Sequence, residues 1–248
     1  AAMAAHARKA GIQLRPHSKG GKSIEIARRQ VAAGAIGICC TTIGEAEIMA
    51  GAGIANVLIT SPVVTPAMID RLVVLNGRAN GLIAVADNPT NVGALAAACA
   101  KAGQTLSLLV EFDVGQNRTG TTSVEAATAL ALRIKAAPQL HFAGVQAYYG
   151  QLQHVAGFAE RKALAETQMA RLRALLEHLK SQGAAAGIVT GGGTGTFDID
   201  PAGGVFTEVQ PGSYPFMDRE YVEIDMSAGR ASPFAVSLYV QASVVSAN

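Results

Sequence analysis

Six residues late in the chain, Gly191-Gly192-Gly193-Thr194-Gly195-Thr196, have the composition of an anion cradle. Glycines let backbone amides approach a ligand closely, and the two threonines add hydroxyl donors. No Lys follows the last glycine, as a P-loop requires, and the sixth position is Thr where a dinucleotide fingerprint has Gly. A little further on, Gly212-Ser213-Tyr214 offers more donors to the same anion. Near the other end, Lys19 closes the stretch Arg15-Pro16-His17-Ser18-Lys19. A lysine held in a dry site beside cations such as Arg15 loses its proton readily and becomes the neutral amine that forms an imine with a carbonyl. A phosphate cradle facing an imine-forming lysine suits a phosphorylated aldehyde cofactor, and Arg118 is the candidate to hold that cofactor's phenolate oxygen. His154 is the histidine best placed to act on a substrate. His17, two residues from Lys19, would orient the lysine, while His6, His141 and His178 read as structural. The chain holds no HxH, HExxH or CxxC pattern, so no metal constellation emerges from it, and no GxSxG follows a strand.

These residues need elements to bring them together. Eight short apolar runs, 14–19, 36–41, 56–61, 81–87, 106–113, 142–150, 187–192 and 206–214, alternate with alanine-rich stretches of helical period. Eight strands in βα alternation point to a closed α/β barrel of the TIM type ahead of a doubly wound sheet. Barrels keep their active sites at the C-terminal strand ends, and phosphate commonly sits after strands seven and eight. Lys19, Arg118, Tyr148, His154, the glycine-rich cradle and Gln210 to Tyr214 all fall just after an apolar run. Thr42 with Glu45 reads as a capping box, Thr65-Pro66 and Ser123 as further helix starts. A long helix over about 158–182 carries Leu164, Gln168, Leu172, Leu175, Leu176 and Leu179 as its buried stripe. The segment 197–205 is too short for a helix. After Asp218 the pattern changes, and 234–245 alternates like an antiparallel strand. The expected division is therefore a barrel over 1–218 and the start of a β-rich domain over 219–248. With Ala1 inside a helical pattern and Asn248 inside a strand-like one, both ends read as cut.

Composition narrows the function classes. The 248 residues are 50% hydrophobic and 15% charged, the profile of an ordinary α/β enzyme rather than a disordered chain. A net charge of +2 without a basic run argues against nucleic acid and against a membrane surface. The three cysteines, Cys39, Cys40 and Cys99, give no disulfide framework, which suggests a reducing, cytoplasmic setting.

The chain resembles the D-threonine aldolase family, which groups with the alanine racemase-like fold type III enzymes. The resemblance is carried, in order along the chain, by Arg15 to Lys19, Gly37-Ile38-Cys39-Cys40, Glu111 to Gly120 and Gln146 to Gly150 with Gln153-His154. It continues through Gly191 to Thr196, then Thr207 to Tyr214 with Phe216-Met217-Asp218. It implies pyridoxal 5′-phosphate as cofactor, with Lys19 as the Schiff-base lysine, Arg118 near the ring oxygen and Gln210 near the pyridine nitrogen. It further implies Thr194, Gly195, Gly212, Ser213 and Tyr214 around the phosphate, Tyr148 flanking the ring, and His154 as the base at the substrate hydroxyl. A divalent metal, Mn or Mg, is implied with ligands in a C-terminal β domain, together with a homodimer. Where the family commonly has His two residues after the lysine, this chain has Gly21.

The expected activity is retro-aldol cleavage of a D-3-hydroxy-amino acid to glycine and an aldehyde. The alternatives are a D-serine or 3-hydroxyaspartate dehydratase and a non-catalytic barrel that carries the cofactor. Residues 1–248 alone are expected to turn over little.

Overall fold

Val, Leu and Ala fill the apolar runs, and in the computed structural model, which describes residues 1–247, each run contributes a parallel strand followed by a helix. In chain order these are α1 (Ala2–Lys9), β1 (Gln13–Leu14), α2 (Ile24–Ala32), β2 (Cys39–Cys40), α3 (Ile43–Gly51), β3 (Leu58–Ile59), α4 (Pro66–Asn76) and β4 (Ile83–Ala86). There follow α5 (Pro89–Ala102), β5 (Leu106–Glu111), α6 (Val124–Ala136), β6 (Leu140–Ala147), α7 (Phe158–Ser181), β7 (Ile188–Gly191), β8 (Glu208–Val209) and α8 (Arg219–Val222). The sheet order β1-β8-β7-β6-β5-β4-β3-β2 leaves β1 and β2 at its two ends. Ile36 N–H donates to Leu14 O (2.9 Å) and Cys39 N–H to Pro16 O (2.8 Å), and a parallel bridge joins His17 to Cys39. These contacts close the sheet into a (β/α)8 barrel.

Side-chain alternation along the strands sorts the interior from the helix-facing layer. Cys39, Leu58, Ile83, Val85, Leu109 and Ala143 fill the inside, while Cys40, Ile59, Ala84, Leu108 and Val110 pack outward against the helices. The three cysteines are free and buried. The capping reading holds at Thr42 and Ser123 but not for the Thr65 side chain, which makes no cap bond: Thr42 Oγ1 accepts from Glu45 N–H (3.3 Å), and Glu45 Oε2 accepts from Thr41 N–H (2.8 Å). Ser123 Oγ accepts from Ala126 N–H (3.1 Å), and Pro66 occupies the first position of α4. On α7 the buried stripe is Arg161, Ala165, Met169, Leu172, Leu175 and Leu179. Leu164 is exposed and Gln168 lies at the edge of that stripe, because the first half of the helix turns Arg161, Ala165 and Met169 toward the barrel and the leucines follow only later. Residues 197–205 hold a 3₁₀ turn at Pro201–Gly203 and no longer helix.

The run 234–245 forms no strand. Phe234 packs on Phe197 (5.0 Å between ring centres) and Tyr214 (5.7 Å), and Ser237 bonds to Phe216 O and Pro215 O. Beyond it Leu238, Tyr239, Val240, Val244 and Val245 are exposed. Alternation supplies a face, but a strand also needs a neighbouring backbone, and none lies alongside among the described residues. No helix among them is long and apolar enough to cross a membrane.

Candidate active site

The barrel interior changes from apolar to polar toward the C-terminal strand ends, and that polar layer is the floor of a cavity of about 300 Å³. Neighbouring strands build the floor. His17 Nε2 bonds Thr60 Oγ1 (3.0 Å), which donates onward to Cys40 O (3.1 Å). Gln146 Nε2 donates to Thr60 O (2.9 Å) and its Oε1 accepts from Gln210 Nε2 (3.2 Å), which also donates to Thr190 Oγ1 (2.9 Å). The Gln210 amide nitrogen is thus committed to the floor, and its carbonyl oxygen has no donor among the described residues. One layer deeper, Arg15 and Glu208 form a buried two-bond ion pair (2.8 and 2.9 Å) between β1 and β8. Arg15 is therefore not the cation beside Lys19, as its place in sequence suggested, because it turns into the barrel.

Lys19 lies one step past the first strand, in a 3₁₀ turn over Ser18–Gly20. His17 caps that turn, its Nδ1 accepting from Lys19 N–H (3.2 Å), which leaves the proton on Nε2 for Thr60. Burial, reinforced by the charges of Lys19 and Arg118, drives the His17 pKa down to about 3, so the ring stays neutral. Its expected orienting role thus acts through the backbone of Lys19. Burial and the Arg118 guanidinium lower the Lys19 pKa in the direction of the free amine. Lys19 Nζ stands 5.5 Å from the centre of the Tyr148 ring and Arg118 Cζ 5.8 Å from it, so one aromatic ring accommodates both cations. Arg118 Nη2 also lies 3.9 Å from Oε1 of Glu111.

Beside the Lys19 turn, past the paired β8, Thr194 Oγ1 accepts from the backbone N–H groups of Ser213 (3.0 Å) and Tyr214 (3.2 Å). An oxygen already sits where two amides converge, which is the geometry a phosphate oxygen needs. Tyr214 contributes only its backbone there, for its hydroxyl accepts from Gln30 Nε2 (2.8 Å). Gly195 N–H is taken by Gln153 Oε1 (2.9 Å), so this glycine shapes the cradle without presenting its amide. A side chain at Gly195 would collide with the Gln153 backbone carbonyl. Gly212 lines the cavity close to His17. Beneath the cradle, buried Asp200 accepts from the Tyr149 hydroxyl, Thr196 Oγ1 (2.7 Å) and Gly193 N–H (3.2 Å). Gln153, Tyr149 and Asp200 brace the cradle from behind, and sequence reading assigned none of them a role. The signal was the glycine run itself, since residues without side chains imply large neighbours that need their space.

His154 lines the cavity mouth with its ring 4.5 Å from that of Tyr221 and its Nε2 3.5 Å from Glu220 Oε2. Asp218 joins them, and one donor atom from each of the three lies within 4.8 Å of the others. All three are exposed, and Asp218 Oδ1 caps the Tyr221 N–H (3.1 Å). Gly21 faces Phe216, whose ring carbon lies 2.7 Å from where a Cβ would stand. Phe216 thus occupies the space a larger residue at 21 would take. Lys19, Arg118, Tyr148, His154, Thr194, Gln210, Gly212 and Ser213 all border the one cavity, while Gly195 and the Tyr214 side chain lie behind its wall.

This arrangement has relatives. The family model described as "Alanine racemase, N-terminal domain" matches residues 1–220. The chain is 41% identical over 246 residues to a D-threonine aldolase of Arthrobacter sp, covering 99% of this chain and 64% of the relative. It is 38% identical over 229 residues to a 3-hydroxy-D-aspartate aldolase of Paracoccus denitrificans, covering 92% and 59%. The crystal structure of a D-threonine aldolase from Filomicrobium marinum superposes with a TM-score of 0.91 at 38% identity, covering 95% of this chain and 62% of that one. The chain spans about three-fifths of the length of these relatives.

Proposed function

Since the chain belongs to the alanine racemase N-terminal domain family, we propose that it binds pyridoxal 5′-phosphate through Lys19 and serves retro-aldol cleavage of a D-3-hydroxy-amino acid, yielding glycine and an aldehyde. The observation that carries this reading is the shared cavity: Lys19, an amine with a lowered pKa, borders it together with Tyr148, Thr194 and Ser213, whose backbone amide converges with that of Tyr214 on Thr194 Oγ1. The residues fit the cofactor. Thr194 Oγ1 already occupies an oxygen position at the Ser213 and Tyr214 amides, and the cradle's glycines let its backbone close onto Ala147, Gln153 and Asp200 behind it. The bound cofactor supplies an electron sink for the carbanion at Cα.

The chain's own residues do the rest. Lys19 is the amine that holds the cofactor and yields it to the substrate. Arg118 would hold the ring oxygen, the Gln210 carbonyl would accept from the ring nitrogen, and Tyr148 would flank the ring. His154 takes the proton of the β-hydroxyl as the Cα–Cβ bond breaks. The divalent metal of this reading is assigned to residues beyond those described, because His154, Asp218 and Glu220 are exposed and Asp218 is engaged as a helix cap. The reading further takes residues 219–248, of which Asn248 lies outside the described residues, as the opening of a second domain, the protein as a homodimer and its setting as the cytoplasm.

The test is a titration of the full-length protein with pyridoxal phosphate, followed by D-threonine and a divalent metal. A visible absorption band is expected in the wild type and not in Lys19→Ala, with glycine released only by the former. His154→Ala should keep the band and lose about 10²-fold or more in cleavage rate. An unchanged band in Lys19→Ala overturns the cofactor assignment, and an oxo acid in place of glycine overturns the aldol chemistry in favour of dehydration.

A further inference from the structure

Glu111 ends β5 with its side chain inside the barrel, two residues beyond the inward-facing Leu109 and paired in register with Gln146. It is 4% exposed, and its Oε2 has no hydrogen-bond partner. Buried carboxylate oxygens without donors are costly and rarely kept without a reason. Glu111 does not border the cavity, whereas Arg118, whose guanidinium reaches to 3.9 Å from its Oε1, does. The loop that carries Arg118 is fastened at its base: Thr121 N–H donates to Glu111 O and Asp113 N–H to Thr121 O. Gly120 N–H is held by Asp87 Oδ2 (3.0 Å), and Asp113 Oδ1 caps the N–H groups of Gly115 and Asn117. The backbone is set, yet the Arg118 side chain is half exposed, and among the described residues it forms no hydrogen bond and stands over the Tyr148 ring. A long side chain in that state samples many rotamers unless something fixes its head.

We propose that Glu111 is a positioning residue for Arg118, holding one edge of the guanidinium against the barrel wall so that its other N–H groups face the ring oxygen of the cofactor. The guanidinium has five donors in a rigid fork, enough to satisfy a carboxylate on one side and a ligand oxygen on the other. An approach of Arg118 from 3.9 Å would turn its contact with Oε1 into a hydrogen bond and bring the same carboxylate's unpartnered Oε2 toward a donor. A carboxylate is needed at 111, since an amide would turn N–H groups of its own toward a cation. The inference rests on the cofactor reading above.

The experiment is a double-mutant cycle on pyridoxal phosphate affinity in the full-length protein, read by the visible band of the bound cofactor. Glu111→Gln is expected to weaken binding about tenfold, a coupling of about 1.4 kcal/mol, and to shift the band in the same direction as Arg118→Ala. The double variant should bind no more weakly than Arg118→Ala alone, and Glu111→Asp should recover part of the loss. Wild-type affinity in Glu111→Gln, or losses that multiply in the double variant, overturns the positioning role. If Glu111→Gln does not fold by circular dichroism, the same cycle with Glu111→Asp decides. A wild type that binds no cofactor overturns the cofactor reading, and this inference with it.

Discussion

Asp200 shows how much the cradle depends on one residue behind it. Three donors favour its ionised form, yet complete burial outweighs them and pushes its pKa up to about 7. An unfolded carboxyl titrates near about 4, so between about pH 4 and 7 the folded chain keeps a proton that the unfolded chain has released. Asp200 therefore favours folding at acid pH, and that contribution is lost as pH rises toward 7. His17 runs the other way, because its depressed pKa makes stability fall as pH drops below about 6.5. The two slopes overlap, so the variant is compared with the wild type at each pH. The stability difference between wild type and Asp200→Asn, from urea unfolding, should shift against the wild type from pH 5 to pH 7.5. A difference that stays constant would remove Asp200 as the source. Lys19, Arg118 and His154 were legible in sequence from their places after apolar runs. Asp200 and Gln153 were not, because their role depends on lying behind a glycine run, a relation that only the closed barrel creates.

At the scale of elements, the ion pair between Arg15 and Glu208 is the interior tie between β1 and β8. Those two strands share only two register pairs, Gln13 with Glu208 and Leu14 with Val209. Both charged side chains are about 3% exposed, so removing one strands the other in a dry interior. Glu208→Ala should cost about 3–5 kcal/mol in denaturant unfolding. Arg15→Met combined with Glu208→Leu should recover most of it, since a matched apolar pair carries no stranded charge. A single variant as stable as the wild type would show that Arg15 finds another partner. The strands were readable from composition, but this pair was not: Arg15 looked like a neighbour of Lys19 because linear distance does not say into which face an extended chain turns its side chains. The same limit explains α7, where Arg161 lies inside and donates to Gly195 O (2.8 Å), while Leu164 lies outside.

For the molecule as a whole, eight strands in βα order determined the barrel, and the count was available from sequence. The segment after residue 233 was misread because alternation was taken as sufficient for a strand. With the side chains of residues 238–247 exposed and its last backbone tie among the described residues at Ser237, that segment should be the first site of limited chymotryptic cleavage, near Leu238 or Tyr239. The remaining product should keep the parent's melting transition, and first cleavage within 1–230 would contradict this. The closure of the barrel bears on its kinetics. Six register pairs join β5 to β6, whereas two backbone bonds and one bridge hold β1 to β2, just below the turn that carries Lys19. Amide protons at Ile36 and Cys39 therefore exchange with deuterium through a smaller fluctuation than those within β5. Opening at that seam beside the lysine would leave the other seven strand junctions paired.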